Sequence, residues 1–345
     1  MNSPVGRWIA STARPSEPLT DGTDPSDRDL DERPRVRLAD RGGGSTVKPV
    51  GMTVHTKQMN ANTGRGALLV PVANPETADR LTDTAIDLAS DRSLDVVLLH
   101  VVEVPAQLPL SEGTRLVDDE EEALLSYAAR SVREAGLSVD RRIRFARDTA
   151  TGIVGAAEEH GAETILMGWR GRPPRRDVVL GSYLDRVLKN APCDVLVKRI
   201  RAPGGPIDSV LVPVARGAHN ELARESAASI ARQNDASVLL LHVLPANSDD
   251  SDRERAWTLL REARSPFDGV AEIDEGVTES DHVAGAITDR TSEYDLTVLG
   301  ATEEGLLHRK LLGTVSDGVG RHAENTVLIA HRPLSRTSRL ARLVR

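Results

Sequence analysis

ALLVPV, residues Ala67–Val72, is a short run of apolar residues too brief for a helix. Such a run reads as a parallel strand buried on both faces. Its end, VPVA at Val70–Ala73, recurs at Val212–Ala215, 142 residues later. LLHV at Leu98–Val101 recurs at Leu240–Val243 with the same offset. Further on the offset is 132: TILMG (Thr164–Gly168) matches LTVLG (Leu296–Gly300), LGS (Leu180–Ser182) matches LGT (Leu312–Thr314), and VLV (Val195–Val197) matches VLI (Val327–Ile329). Two constant offsets indicate one domain duplicated, with ten residues lost from the second copy between its second and fourth strands.

Strand and helix patterns alternate within each copy. In the first, ALLVPV is followed by helical spacing over Pro75–Ser90, then the strand DVVLLHVV, an amphipathic helix over Leu116–Ala135, the strand VDRRIRF nearer an edge, a helix over Gly152–His160, the strand TILMG, a helix over Ser182–Asn190 and the strand CDVLVKR. The second copy repeats this order from Ser209 to His331. Alternation of this kind predicts an α/β fold: two tandem, doubly wound domains, each on a five-stranded parallel sheet of Rossmann-like type. The expected domains are residues 66–200 and 207–333, joined by the linker 201–206, RAPGGP. The final strands of the two copies, both apolar edge candidates, are expected to lie side by side within one chain.

The segment 1–64 is rich in Pro, Gly, Asp and Arg without an apolar period and is expected to be disordered. It is either a genuine tail or the product of a start codon set too far upstream; Met52 and Met59 precede the first strand. Residues 334–345 form a basic tail, with Arg336, Arg339, Arg342 and Arg345 three apart: a solvated end, or a contact for an anionic membrane or acidic partner. Net charge is −8, and residues 65–331 are more acidic still, which disfavours nucleic acid. Aromatic residues make up only 2%, so base-stacking platforms are scarce. One cysteine, Cys193, excludes an intrachain disulfide. The histidines lack metal-ligand spacing. No apolar run approaches the ~20 residues of a membrane helix, and no secretory leader is visible, so the expected location is cytoplasmic. Arginine far outnumbers lysine on this acidic chain, a composition expected of a halophilic organism.

Candidate function gathers at GWRGRPPRRDVVLGS, Gly168–Ser182. Gly168 ends the fourth strand, and Gly181 and Ser182 open the fourth helix. Ligands of open α/β sheets sit beyond the carboxyl ends of the strands, and helix N-termini attract anions. Gly171 and Gly181 admit a close approach of backbone to phosphate. Ser182 offers a helix cap or a hydroxyl, and Arg170, Arg172, Arg175 and Arg176 add positive charge. Ordinary turn and cap chemistry accounts for the same residues, and both readings stand at the level of the loop alone.

The spacing Gly, two residues, Gly, nine residues, Gly-Ser resembles the nucleotide loop of the universal stress protein family. LLVPV, LLHVVEV and PCDVLVKR resemble that family too, and the likeness extends over both copies. It implies a fold of the adenine-nucleotide α-hydrolase type, with ATP or another adenine nucleotide and its magnesium at the strand ends. It further implies that Gly168, Gly171, Gly181 and Ser182 meet phosphates and ribose, and that Val101 meets adenine through its backbone. The family's Asp after the first strand is absent. Ala73 stands there, followed by Asn74, which offers part of the lost hydrogen bonding; Ala215 stands there in the second copy. The second copy also has Glu303 at the second glycine position. Copy one resembles the subgroup fused to amino-acid permeases in salt-loving archaea.

Trp169 inside the loop reads as a partly buried aromatic ahead of an adenine stack, and His100 and His242 as hydrogen-bonded core histidines ahead of catalysts. No general base stands out, so at most slow ATP hydrolysis is expected. The expected function is a nucleotide-binding regulatory protein loaded in copy one only. Its rivals are a non-binding scaffold or regulatory subunit of a membrane transporter, and an enzyme of the α-hydrolase type, for which ANPETA lacks the glycine-rich loop. An intrachain pseudo-dimer, able to associate as a homodimer, is the expected assembly.

Overall fold

The computed structural model describes residues 52–55, 65–169, 182–199, 205–302 and 313–333. Among the expected features, most of 1–64, the loop 170–181, the start of the linker, the second loop at 303–312 with Glu303, and the tail 334–345 lie outside the described residues.

The strands are β1 (Met52–His55), β2 (Ala67–Pro71), β3 (Asp95–Glu103), β4 (Val139–Ala146), β5 (Ala162–Trp169), β6 (Asp194–Arg199), β7 (Ser209–Pro213), β8 (Ser237–Leu244), β9 (Ile273–Glu279), β10 (Leu296–Gly300) and β11 (Thr326–His331). Helices are α1 (Pro75–Arg92), α2 (Asp119–Glu134), α3 (Thr149–His160), α4 (Ser182–Asn190), α5 (Ala218–Asn234), α6 (Asp250–Ala263), α7 (Val283–Arg290) and α8 (Gly313–His322). Local chemistry sets their starts. Asn74 caps α1 ahead of Pro75, Asp118 forms a reciprocal capping box with Glu121 at α2, and Asp148 caps α3.

All eleven strands join one sheet in the order β1-β4-β3-β2-β5-β6-β11-β10-β7-β8-β9. Each repeat contributes five parallel strands whose order reverses beside its first strand, between β2 and β5 and between β7 and β10. That reversal opens a crevice at the carboxyl ends. Alternate residues feed two layers. Leu68, Val70, Leu98, Val212 and Leu240 pack under α1, α2, α5 and α6. Leu69, Leu99, Ile165, Val197 and Ile329 pack under α3, α4, α7 and α8.

Antiparallel pairing of β6 with β11 makes the sheet continuous, with Val197 opposite Ile329 and Leu196 opposite Ala330. Polar groups rim this apolar seam. The buried Lys198 ammonium donates to Arg80 O and Thr84 Oγ1, both at 2.7 Å. Arg199 donates to Ala323 O at 2.9 Å and Arg321 O at 3.3 Å, capping the end of α8. Arg232 on α5 grips Asp91 on α1 through two bonds of 2.7 and 2.8 Å.

One element departs from the sequence reading. Met52–His55 falls inside the segment expected to be disordered, yet it pairs antiparallel with β4. MTVH alone is too short to announce a strand; the open ladder of β4 supplies the partner.

Candidate functional site

The carboxyl ends of β2, β3 and β5 surround a cavity of about 340 Å³. Pro71, Val72, Ala73 and Asn74 line it from the end of β2, Leu99, His100 and Val101 from β3, and Met167 and Gly168 from β5. Thr77 of α1, Thr149 and Ile153 at the start of α3, and Tyr183 at the start of α4 complete the wall. The cavity therefore sits at the reversal in strand order and meets the open ends of helices, where backbone N–H groups are available to an anion.

Among the residues expected at the site, Asn74, Val101 and Gly168 are brought together here. Asn74 is partly committed: its Oδ1 accepts from Thr77 N at 2.9 Å to start α1, so the side-chain amide nitrogen is what it offers inward. Val101 is held by close packing. A Cβ on Gly152 of α3 would lie 2.5 Å from Val101 Cγ1, so only glycine lets α3 approach the strand at this depth. Gly168 O accepts from the Tyr183 hydroxyl at 3.4 Å, a long bond that ties α4 back to β5. Arg170, Gly171, Arg172 and Gly181 lie outside the described residues, and Ser182 is described only as the first residue of α4.

Thr149, Ile153, Met167 and Tyr183 are cavity residues that sequence reasoning did not single out. Thr149 is fixed by Glu103, whose Oε1 accepts from its N at 2.8 Å and its Oγ1 at 2.7 Å. The DTAT sequence at Asp148–Thr151 is a cap signal that places α3, and hence Thr149, at the mouth. Trp169 is 7% exposed and packs against α8: a Cβ on Gly320 would sit 2.9 Å from its Cζ3. It is a core aromatic of the seam and forms no part of the cavity wall. Burial pushes the Cys193 thiol up to about 12, which makes it a poor nucleophile at neutral pH.

At the same place in the second repeat, α5 packs tightly on the end of β10. A Cβ on Gly300 would meet Asn220 N and His219 C at 2.6 Å and His219 O at 2.8 Å, so the start of α5 lies directly on the end of β10. Ser316 Oγ donates to Gly300 O at 2.8 Å from α8. Arg216 stands where the first repeat has Asn74. It lines, with Ala215 and Gly217 just after β7, a cavity of about 440 Å³ between α5 and α6 whose wall carries Arg224, Glu221, Glu225 and Glu262, charges of both signs.

The sequence pattern of the Universal stress protein family matches residues 65–199 and again 206–331. The chain belongs to the universal stress protein family. Within it, universal stress protein A homolog 2 of Coxiella burnetii is 30% identical over 139 residues, which is 39% of this chain and 94% of that protein. The crystal structure of a universal stress protein from Archaeoglobus fulgidus superposes with a TM-score of 0.58 at 19% identity, covering 77% of this chain and 96% of that one. It shares the tandem α/β fold. The Na(+)/H(+) antiporter NhaS5 of Synechocystis sp. is 25% identical over 268 residues, 77% of this chain. This universal stress protein chain spans only 38% of the antiporter's length. A transporter relative is thus a cyanobacterial cation antiporter. Among the described residues no helix is long and apolar enough to cross a membrane, and no group of three or more metal-ligating side chains gathers.

Proposed function

We propose that this universal stress protein is a regulatory protein whose first repeat binds an adenine nucleotide, ATP or a close relative, while the second does not. The cavity at the reversal of strand order carries the reading. It is bounded by Val101, Gly168 and the start of α4, and its wall presents no carboxylate among the described residues to repel phosphate. The loop of arginines and glycines at 170–181 follows Gly168 and Trp169 in the sequence. Magnesium, if used, would arrive with the phosphates and take its ligands from them and from water. In the second repeat, Glu303 replaces a loop glycine. On this reading the two repeats act as an intrachain pseudo-dimer in the cytoplasm, and the loaded or empty state of the first is presented to a partner. Any ATP hydrolysis is slow.

A second reading has a specific observation behind it. Ala73 brings no polar group, and the Asn74 oxygen is spent on capping α1. Both weaken the site, and the likeness to an antiporter over most of the chain supports a scaffold or regulatory subunit for a membrane transporter.

Titration calorimetry with ATP separates the two. The first reading expects about one nucleotide per chain, and loss of binding in Gly171→Glu, since like charges ~4 Å apart cost about 4 kcal/mol at an effective dielectric near 20. Two equal sites, or binding that survives the substitution, would sink it. Silence toward every adenine nucleotide would favour the scaffold.

A further inference from the structure

β4 and β9 are counterparts, one in each repeat: Val139 lies opposite Val96 of β3 as Ile273 lies opposite Val238 of β8. In the first repeat β4 carries β1 on its outer side, antiparallel, from Met52 opposite Phe145 to His55 opposite Arg142. In the second repeat β9 ends the sheet order, and among the described residues no strand covers it. The stretch of β9 that corresponds to Arg142–Phe145 is Gly276–Glu279.

The direction of the outer backbone groups follows from the ladder. Val238 N donates to Glu272 O at 3.0 Å and Ser280 N donates to Leu244 O at 2.7 Å, so the even-numbered residues turn their peptide groups to β8. The odd-numbered residues of β9 turn theirs outward, because the direction alternates along a strand. Ile273 O is met there by the Arg264 guanidinium at 3.4 Å. Val277 and Glu279 point outward where Ile143 and Phe145 face β1.

The charge of the edge selects what can pair with it. Glu272, Asp274, Glu275, Glu279 and Asp281 stand between 272 and 281, and no basic residue does. Glu275 pairs with Arg264 at 3.2 Å and Glu279 with Arg253 at 2.7 Å, while Glu272 and Asp274 are exposed. Those two arginines mark the stripe of α6 that faces β9, and Trp257, one turn on from Arg253, lies on it and is 39% exposed. Pairing β9 with β9 of a second copy would set like charges across the ladder, which is unfavourable. Basic side chains would meet carboxylates and an indole face instead.

We propose that the outer edge of β9 is a docking site for an extended basic segment of a partner protein, which adds a strand antiparallel to Gly276–Glu279 as β1 adds to β4. The edge closes the sheet in the second repeat, strands away from the cavity of the first, so its partner does not depend on what that cavity binds.

The test uses the full chain and a short labelled peptide of alternating arginine and valine. Two control peptides carry glutamate in place of arginine, or proline in place of valine. Anisotropy titrations at low salt should show the basic peptide binding about tenfold more tightly than either control, and added salt should weaken it. Hydrogen exchange should slow at Val277 and Glu279. Val277→Pro removes an outward N–H and leaves the bonds of Gly276 and Thr278 to β8, so it should melt close to the wild type and bind the peptide about tenfold more weakly. Glu272→Lys combined with Asp274→Lys reverses two exposed charges and leaves the backbone ladder intact. It should weaken binding severalfold, and it keeps the test open where the proline variant fails to fold. Absence of binding by the basic peptide, equal binding of the proline form, slowed exchange confined to other strands, or an affinity unchanged by either substitution overturns the assignment. So does a dimer that forms with rising protein concentration and is lost in Val277→Pro, since the edge would then belong to a second copy.

Discussion

Gly152 shows how a single missing side chain shapes the candidate site. Its position lets α3 settle onto Val101, and a methyl group there would fall 2.5 Å from Val101 Cγ1, 3.1 Å from Cγ2 and 3.2 Å from Ala146 Cβ. Those atoms belong to two strands in register and have little room to give. Gly152→Ala gains about 1 kcal/mol of helix propensity, whereas overpacking of a filled core costs typically 1–3 kcal/mol. The expected net effect is a modest loss of stability in denaturant melts and, on the nucleotide-binding reading, weaker binding, since Thr149 moves with the helix and the added methyl presses on Val101. A variant more stable than the wild type would show that the helix shifts freely. At this scale the sequence exposed some of the site and hid the rest. Gly168 was legible because it ends a strand in a repeated pattern, and Val101 through the family resemblance. Thr149 and Tyr183 were not, because what makes them cavity residues is proximity across strands, and an isolated Thr or Tyr carries no periodic signal.

The elements themselves were readable wherever a run was long enough to show its period. Leu68, Leu69 and Val70 are wholly buried in β2, as an unbroken apolar run between two layers requires. β1 escaped because four residues within a polar, glycine-rich stretch fall below any window in which alternation can be counted. Its partner β4 would otherwise present an open edge, as β9 does at the far end of the order among the described residues. A chain beginning at Gly64 would lose β1 and keep both buried layers. It is expected to fold, with a melting temperature within a few degrees of the full chain. Hydrogen exchange should reveal the difference: alternate amides of Arg142–Phe145 become fast, while those of β3 stay slow. Protection of β4 that is unchanged by the truncation would show that β1 contributes nothing to that edge.

At the scale of the whole molecule, the seam between the repeats holds charge that the apolar strand pattern did not foretell. VLVKR reads as a last apolar strand, yet Lys198 within it is buried and reaches across to α1. Nearby on α1, burial pushes the Asp87 carboxyl up to about 6, against the opposing pull of Asn234 on α5 and of Lys198. Burial also lowers the Lys198 ammonium below its ordinary value. A carboxyl raised from 3.8 to about 6 holds its proton more tightly in the folded chain than in the unfolded one. Its contribution is therefore most favourable below the unfolded value and is lost as pH rises through about 6. Each unit is worth about 1.4 kcal/mol, so by pH 8 the ionised group costs the seam roughly 2–3 kcal/mol. Asp87→Asn removes that cost while keeping a polar group for Asn234. The substituted chain should melt several degrees above the wild type at pH 8, and the gap should shrink most of the way by pH 4. Lower stability of Asp87→Asn at pH 8 would mean that the attraction of Lys198 for the carboxylate outweighs its burial. The seam would then be held by an ion pair and would weaken on acidification instead.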